Sequence, residues 1–194
     1  MAFNVNNLLF ITKNEGKVRE IRELAAPHGI TIEQVGYEYP ELQADTLEEV
    51  AFFAVKYLET RFSSPFFLED AGLFIDALNG FPGVYSAYVF RSIGCEGILK
   101  LLEGIDERTA FFKSVIAYKE PGDKPLFFQG VCRGTIAYEK RGSHGFGYDP
   151  IFIPEGSIET FGEMEVEVKN SYSHRGRSLQ QFIKHIENVI GEKT

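Results

Sequence analysis

The chain has 194 residues, 44% of them hydrophobic and 25% charged, which fits one globular unit over 1–194 and excludes disordered and fibrous classes. Its longest apolar runs, such as that around Phe66, Phe67 and Leu68, fall far short of the roughly 18 residues a membrane-spanning helix needs. The formal charge of −8 argues against nucleic acid as partner, because duplex binding rests on many Lys and Arg contacts to phosphate, yet it leaves room for one small anion.

Met1 to Asn7 carry neither a basic segment nor the apolar core of a secretory signal, so the expected address is the cytosol. Leu8-Leu9-Phe10-Ile11 is a buried-type strand, and Val18, Ile21, Leu24 and Ala25 then recur at helical spacing. Pro27, His28 and Gly29 end that helix, and Ile30 to Val35 alternates as a half-buried strand does. Thr46 with Glu49 forms a capping box for a second helix carrying Val50, Phe53, Ala54, Tyr57 and Leu58. Phe66-Phe67-Leu68 reads as a buried strand ending in Glu69-Asp70. The turn-rich Asn79 to Gly83 follows, then a helix bearing Ile98, Leu99, Leu101 and Leu102.

Strands around Phe111 to Tyr118 and Leu126 to Tyr138 are joined by Pro121-Gly122-Asp123-Lys124-Pro125, the composition of a hairpin, so they are expected to be antiparallel. A glycine-rich loop, Gly142 to Gly147, leads to a short strand at Ile151 to Ile153. Leu179, Phe182, Ile183, Ile186 and Val189 mark a final amphipathic helix with Ser173 as N-cap. The fold class is α/β with a mixed sheet. Cys95 and Cys132 lack any metal-like spacing, and reduced, partly buried thiols are expected.

Four clusters carry chemistry. Thr12-Lys13-Asn14-Glu15-Gly16-Lys17 lies where a strand gives way to a helix, a place whose unpaired N–H groups and partial positive charge suit an anion. The alternative is that Asn14 simply caps the helix, and the glycine spacing of a Walker A loop is missing. Glu38, Glu41, Glu69 and Asp70 are acids near strand ends, where a hard cation and a ligand commonly bind, or they merely mark where a strand meets water. Phe146-Gly147-Tyr148-Asp149 offers aromatic rings on a loop, either for stacking on a base or for the core. In Lys169-Asn170-Ser171-Tyr172-Ser173-His174-Arg175, an N-cap at Ser173 would put His174 and Arg175 in the first helical turn. Cations oppose the dipole there, so either something anionic or carbonyl-rich compensates them or they form a solvated basic patch.

In this order, TxNxxK, PE before a helix, an apolar strand ending in ED, GxPG, FGYD, and KN followed by SHR resemble the inosine-triphosphate pyrophosphatase family, the non-standard purine NTP pyrophosphatases. The resemblance covers nearly the whole chain. It implies an elongated, two-lobed α/β/α structure with the site in a cleft between lobes, usually a homodimer. The implied reaction is magnesium-dependent hydrolysis of ITP, dITP or XTP between the α- and β-phosphates, giving the monophosphate and pyrophosphate. By matching positions, Thr12, Asn14, Lys17 and Lys169 hold phosphates, with Lys13, Glu15, Gly16 and Ala71 lining the substrate. Glu41 and Asp70 bind the metal, and Asp70 accepts the proton of the attacking water. Phe146, Gly147, Tyr148, Asp149, His174 and Arg175 read the base. The chain departs from the family pattern at Lys13, often glycine, at Ala54, often lysine, and after GxPG, where Ala87 and Tyr88 replace a basic residue and Arg91 is the nearest substitute.

Overall fold

The computed structural model describes residues 7–40 and 44–192, with side chains described as far as Val189. The chain opens with strand β1 (Asn7–Ile11), helix α1 (Glu15–Ala25) and strand β2 (Thr31–Val35), a crossover that leaves β1 and β2 parallel. Asn14, in extended conformation, caps α1 by accepting a hydrogen bond from the Lys17 amide at 3.1 Å. Helix α2 (Leu47–Leu58) starts with the expected capping box. Its buried face is Leu47, Ala51, Ala54, Val55 and Leu58, rotated from the expected stripe, and Phe53 lies 44% exposed. Ala51 and Ala54 share a cluster with Ala117 of the sheet, so small residues bring this helix close and leave the rings of Phe52 and Phe53 outside.

Strand β3 (Phe66–Ile75) corrects the sequence reading, which ended it at Glu69-Asp70. Strand β4 (Thr109–Lys119) pairs antiparallel along its full length, from Phe66 opposite Lys119 to Ile75 opposite Ala110. Backbone hydrogen bonds therefore carry the strand through its polar residues. Beyond the turns lies helix α3 (Ser86–Leu101), which begins earlier than expected and contains a non-helical residue at Gly94. Of its expected apolar residues, Ile98 is buried and Leu101 is exposed. Strand β5 (Leu126–Ile136) pairs antiparallel with β4 as the hairpin composition predicts, and the short β6 (Phe152–Pro154) follows. Helix α4 (Val166–Tyr172) was not legible, being too short to show a period. Helix α5 (His174–Glu192) begins after Ser173, whose Oγ accepts the Gly176 amide at 2.9 Å.

The six-stranded sheet has the order β2-β1-β3-β4-β5-β6, parallel in its first half and antiparallel in its second. Alternation divides its side chains between two faces. Phe10, Phe67, Ile116 and Tyr118 pack with Val18 and Ile21 of α1 and with Leu179, Phe182 and Ile186 of α5. Phe66, Leu68, Val115 and Ala117 pack with α2. A third cluster joins Leu73, Ile75, Phe112 and Cys132 to Val89, Cys95 and Ile98 of α3 and to Phe152 and Phe161. Helix α5 starts hard against the sheet because β5 offers Gly130 there; a Cβ would lie 2.0 Å from the His174 carbonyl oxygen. Cys95 and Cys132 are free and buried, and burial pushes both thiols up to about 11. No described helix is long and apolar enough to cross a membrane.

Candidate active site

Strand β1 lies beside β3 only at Leu9 opposite Phe66 and Phe10 opposite Phe67; beyond them β3 continues beside β4. The edge of β3 past Phe67 thus opens at the C-terminal ends of the parallel strands, next to the start of α1. That is where open α/β sheets bind ligands. Alternation sends Glu69 to the α1/α5 face with Phe67, and Asp70 to the α2 face with Leu68.

The segment from Thr12 to Lys17 splits in role. Thr12 Oγ1 accepts the Asn14 amide at 3.1 Å, and Asn14 is the helix cap. Lys13 points outward in an ion pair with Glu38, and Glu15 accepts a hydrogen bond from Gln34 at 2.8 Å. Lys17 turns inward, its Nζ lying 2.7 Å from the Glu69 carbonyl oxygen and 2.8 Å from Glu69 Oε2. Gly16 is pressed against the Phe146 ring, where a Cβ would lie 2.5 Å from Cδ1. The N-terminal loop and the loop at Phe146 therefore touch.

Behind them lies a buried ionic cluster. Lys169 Nζ sits 2.7 Å from Glu20 Oε1 and 2.6 Å from Asp149 Oδ2. Arg175 Nη1 sits 2.5 Å from Glu20 Oε2, and its Nη2 lies 3.3 Å from Glu69 Oε1. Ser114 Oγ donates to Glu69 Oε1 at 2.7 Å and lies 3.0 Å from Ser178 Oγ. Glu20, Lys169 and Arg175 are each at most 2% exposed. The anionic groups that compensate a cation in the first turn of α5 are therefore Glu20 and Glu69. Both Lys169 and Arg175 lie near the Phe146 ring, at 5.1 and 5.4 Å from its centroid.

Sequence reasoning missed Glu20 and Ser114. Glu20 stands three residues after Lys17 and four before Leu24, on the flank of the buried stripe of α1, and that spacing was the available signal. Ser114 stands in an apolar strand and gives no signal by itself.

On the Phe146 to Asp149 loop, the Phe146 amide donates to Asp149 Oδ2 at 2.7 Å. Gly147, at φ 65°, accepts from Cys95 Sγ. Tyr148 faces away from the cluster, its hydroxyl donating to the Ser86 carbonyl oxygen at 3.1 Å and its ring lying edge-on to Phe90. The structure therefore ties Tyr148 to α3, where the resemblance placed it with the base-reading residues. His174 stacks on Phe112 with centroids 4.6 Å apart, and its buried Nδ1 has no hydrogen-bond partner among the described residues.

Of the candidate metal ligands, Glu41 lies outside the described residues. Glu38 is exposed and paired with Lys13. Asp70 is half-buried, with Oδ1 accepting the Ala71 amide at 2.9 Å; Ala71 is half-buried beside it. Ala54, the position at which the resemblance leads one to expect lysine, is buried, and Lys56 is exposed and paired with Glu59.

Electrostatics follow from the burial. Burial alone would raise the Glu69 carboxyl, but the charges of Arg175 and Lys17 and the hydrogen bonds from Lys17 and Ser114 bring it down to about 2. Glu20 is likewise lowered against its burial by Arg175 and Lys169. Asp149 is raised, burial outweighing Lys169 and Glu20 adding to the rise. Burial, then the Arg175 charge, hold His174 well below its ordinary 6.5. A depressed histidine pKa means that the unfolded chain binds the proton first. His174 thus contributes stability above about 6.5 that is lost as pH falls toward its folded pKa. Melting temperatures of His174→Gln and the parent, measured from pH 7 to 5, should diverge least at pH 5. A gap that does not narrow would remove His174 from the acid limb. Comparing variant with parent cancels the opposite trend from Asp149.

Fold and site together define an α/β protein of the mixed-sheet class with charged residues gathered at the open edge of its third strand. Residues 8–185 match the Ham1 family, and the chain belongs to that family. It is 55% identical over 177 residues to the dITP/XTP pyrophosphatase of Pyrococcus horikoshii, covering 91% of this chain and 95% of that one. It is 57% identical over 175 residues to the dITP/XTP pyrophosphatase of Thermococcus kodakarensis, covering 90% and 94%. A solved Ham1 protein from Coxiella burnetii superposes with a TM-score of 0.81 at 31% identity, covering 94% of this chain and 98% of that one.

Proposed function

We propose that the chain hydrolyses non-standard purine nucleoside triphosphates, dITP, XTP and ITP, between the α- and β-phosphates, releasing the monophosphate and pyrophosphate. The observation that carries this reading is the convergence, at the open edge of β3, of Lys17 from the start of α1 with Arg175 and Lys169 from the SHR and KN segments. The curated relatives named dITP/XTP pyrophosphatase support it. The nucleotide lies along that edge in a cleft, with its phosphates toward Thr12, Asn14 and Lys17. Its base lies toward Phe146, Asp149, His174 and Arg175.

The donor set fits a hard divalent cation, magnesium. Glu69 is engaged by Lys17, Arg175 and Ser114, so Asp70, with Glu41, would hold the ion on the other face of the strand. Among the described residues no three His, Cys, Asp or Glu gather into a metal cluster. Magnesium is typically held by one or two carboxylates, with substrate phosphates and waters completing its shell. When bound, such an ion shields phosphate oxygens and acidifies a water. The chain's own part is to orient. Lys17 offers an ammonium beside the phosphates, and Asp70 accepts the proton of the attacking water in line with the α–β bridge. Lys169, held by Glu20 and Asp149, sets the charge around the base loop.

The whole chain serves as one catalytic unit in the cytosol, working on free nucleotides and not on nucleic acid. Phe52, Phe53, Phe81, Tyr85, Tyr88 and Ile93 remain exposed near the GxPG turn and α2, and a second copy of the chain in a homodimer covers them. Pyrophosphate release measured across dITP, XTP, ITP, dATP and dGTP with magnesium tests the activity. Binding of dITP or XTP without release, or equal rates on dATP, would defeat it.

A further inference from the structure

We propose that Glu69 is a positioning residue that fixes Lys17 and Arg175 relative to each other, so that the phosphate end and the base end of one nucleotide are engaged together. This rests on the reading of function above. Four features of the structure converge on it. The Glu69 side chain is fully buried, and its two carboxylate oxygens serve different elements. Oε2 lies 2.8 Å from the ammonium of Lys17 on α1, and Oε1 lies 3.3 Å from the guanidinium of Arg175 on α5.

Ser114 of the neighbouring strand donates to Oε1 at 2.7 Å, and the Glu69 carbonyl oxygen accepts from Lys17 at 2.7 Å. Its place in the middle of β3, paired to Ile116 of β4, makes it a fixed point. The two cations approach that point from opposite ends of the chain.

Buried between Lys17 and Arg175, the Glu69 carboxylate is closed to a cation from solution. The alternation of the strand also turns it away from the face that Asp70 shares. What a single carboxylate between two cations supplies is a set distance between them. Without it, Lys17 keeps the Glu69 carbonyl oxygen and Arg175 keeps Glu20, but no group joins the two cations to each other, and each end of the ligand would then bind without help from the other. The reacting geometry of a triphosphate depends on where its base is anchored, so a loss of registration costs rate as well as binding.

The test is a double-mutant cycle on Lys17→Gln and Arg175→Lys, made in the parent and in Glu69→Gln. Binding of dITP is read by calorimetry without added divalent ion, and kcat and KM by pyrophosphate release with magnesium. In the parent, each single change should weaken dITP about tenfold, and the pair should be no more than about threefold worse than the weaker single, because losing either partner already breaks the registration. In Glu69→Gln the two factors should multiply to within about twofold. Inorganic triphosphate, which has no base, should respond to Lys17→Gln and not to Arg175→Lys in either background.

A residue that merely stabilises the fold would shift melting without changing how the two factors combine. Multiplying factors in the parent would overturn the proposal, and so would coupling that survives in Glu69→Gln. If Glu69→Gln does not fold, the cycle in the parent decides alone. If the parent neither binds nor cleaves dITP or XTP, the reading of function fails first, before any variant is made, and this proposal falls with it.

Discussion

Asp70→Asn is expected to leave the fold intact and to lower kcat for dITP by about a hundredfold or more, the lower scale for losing a positioned base. The fold should survive because an asparagine Oδ1 can still accept the Ala71 amide that Asp70 accepts at 2.9 Å, and because the side chain is half-buried and stands outside the hydrophobic clusters. The rate should not survive. An amide keeps the shape of the carboxylate but takes up no proton from water at neutral pH, and it is a weaker ligand for a hard cation. Raising magnesium should therefore fail to restore kcat. A variant with near-parental kcat at saturating magnesium would take Asp70 out of the chemistry.

Arg175 is the second large effect, and the structure decides which substitution tests it. Truncation to alanine would leave Glu20 to Lys169 and Glu69 to Lys17 alone, a buried cluster short of one positive charge, a change that costs about 3–5 kcal/mol of stability and confuses any kinetic reading. Arg175→Lys keeps the charge and loses the planar fork. Two guanidinium nitrogens hold the carboxylates, and the buried Nε has no partner among the described residues, so a substrate carbonyl has a donor to meet. Hypoxanthine and xanthine present a carbonyl at C6 and adenine an amino group. The lysine variant should therefore lose kcat/KM for dITP by about 1.5–3 kcal/mol, roughly tenfold to more than a hundredfold, as expected for one charge-assisted hydrogen bond.

The rate on dATP, expected to be low, should move by less than about threefold, since that base makes no such bond to lose. Equal losses on both substrates would make Arg175 a phosphate ligand or a structural residue and would end this account of base selection. Guanine shares the C6 carbonyl, so any discrimination against dGTP is expected from groups near Phe146 to Asp149 and not from Arg175. The buried Asp149, in contact with Lys169, is the acidic group at that position.

Much of the architecture follows from local chemistry. The apolar run Leu8 to Ile11, the cap at Asn14, the box Thr46 with Glu49, the hairpin turn at 121–125 and the N-cap Ser173 each name a boundary that backbone hydrogen bonding enforces wherever the segment sits. The motifs TxNxxK, ED, FGYD and SHR, each weak, together placed the chain beside a family before any contact was known. The N-terminal position of His174 and Arg175 on a helix raised anionic or carbonyl-rich neighbours as one of two readings, the other being a solvated basic patch.

Tertiary structure decided which residues answer to that description. Strand β3 runs past Asp70 because β4 pairs with it, a long-range fact that no local pattern encodes. Phe53 stays outside while Ala51 and Ala54 face the sheet, because close approach selects small residues over apolar ones. Within one hexapeptide, Lys13 went to solvent and Lys17 to Glu69. Within one tetrapeptide, Tyr148 went to α3 and Asp149 to Lys169. Glu20 became the partner of two cations drawn from segments about 150 residues away. A buried charge must find its opposite wherever the fold brings one within reach, so the identity of that partner is a property of packing and not of sequence spacing.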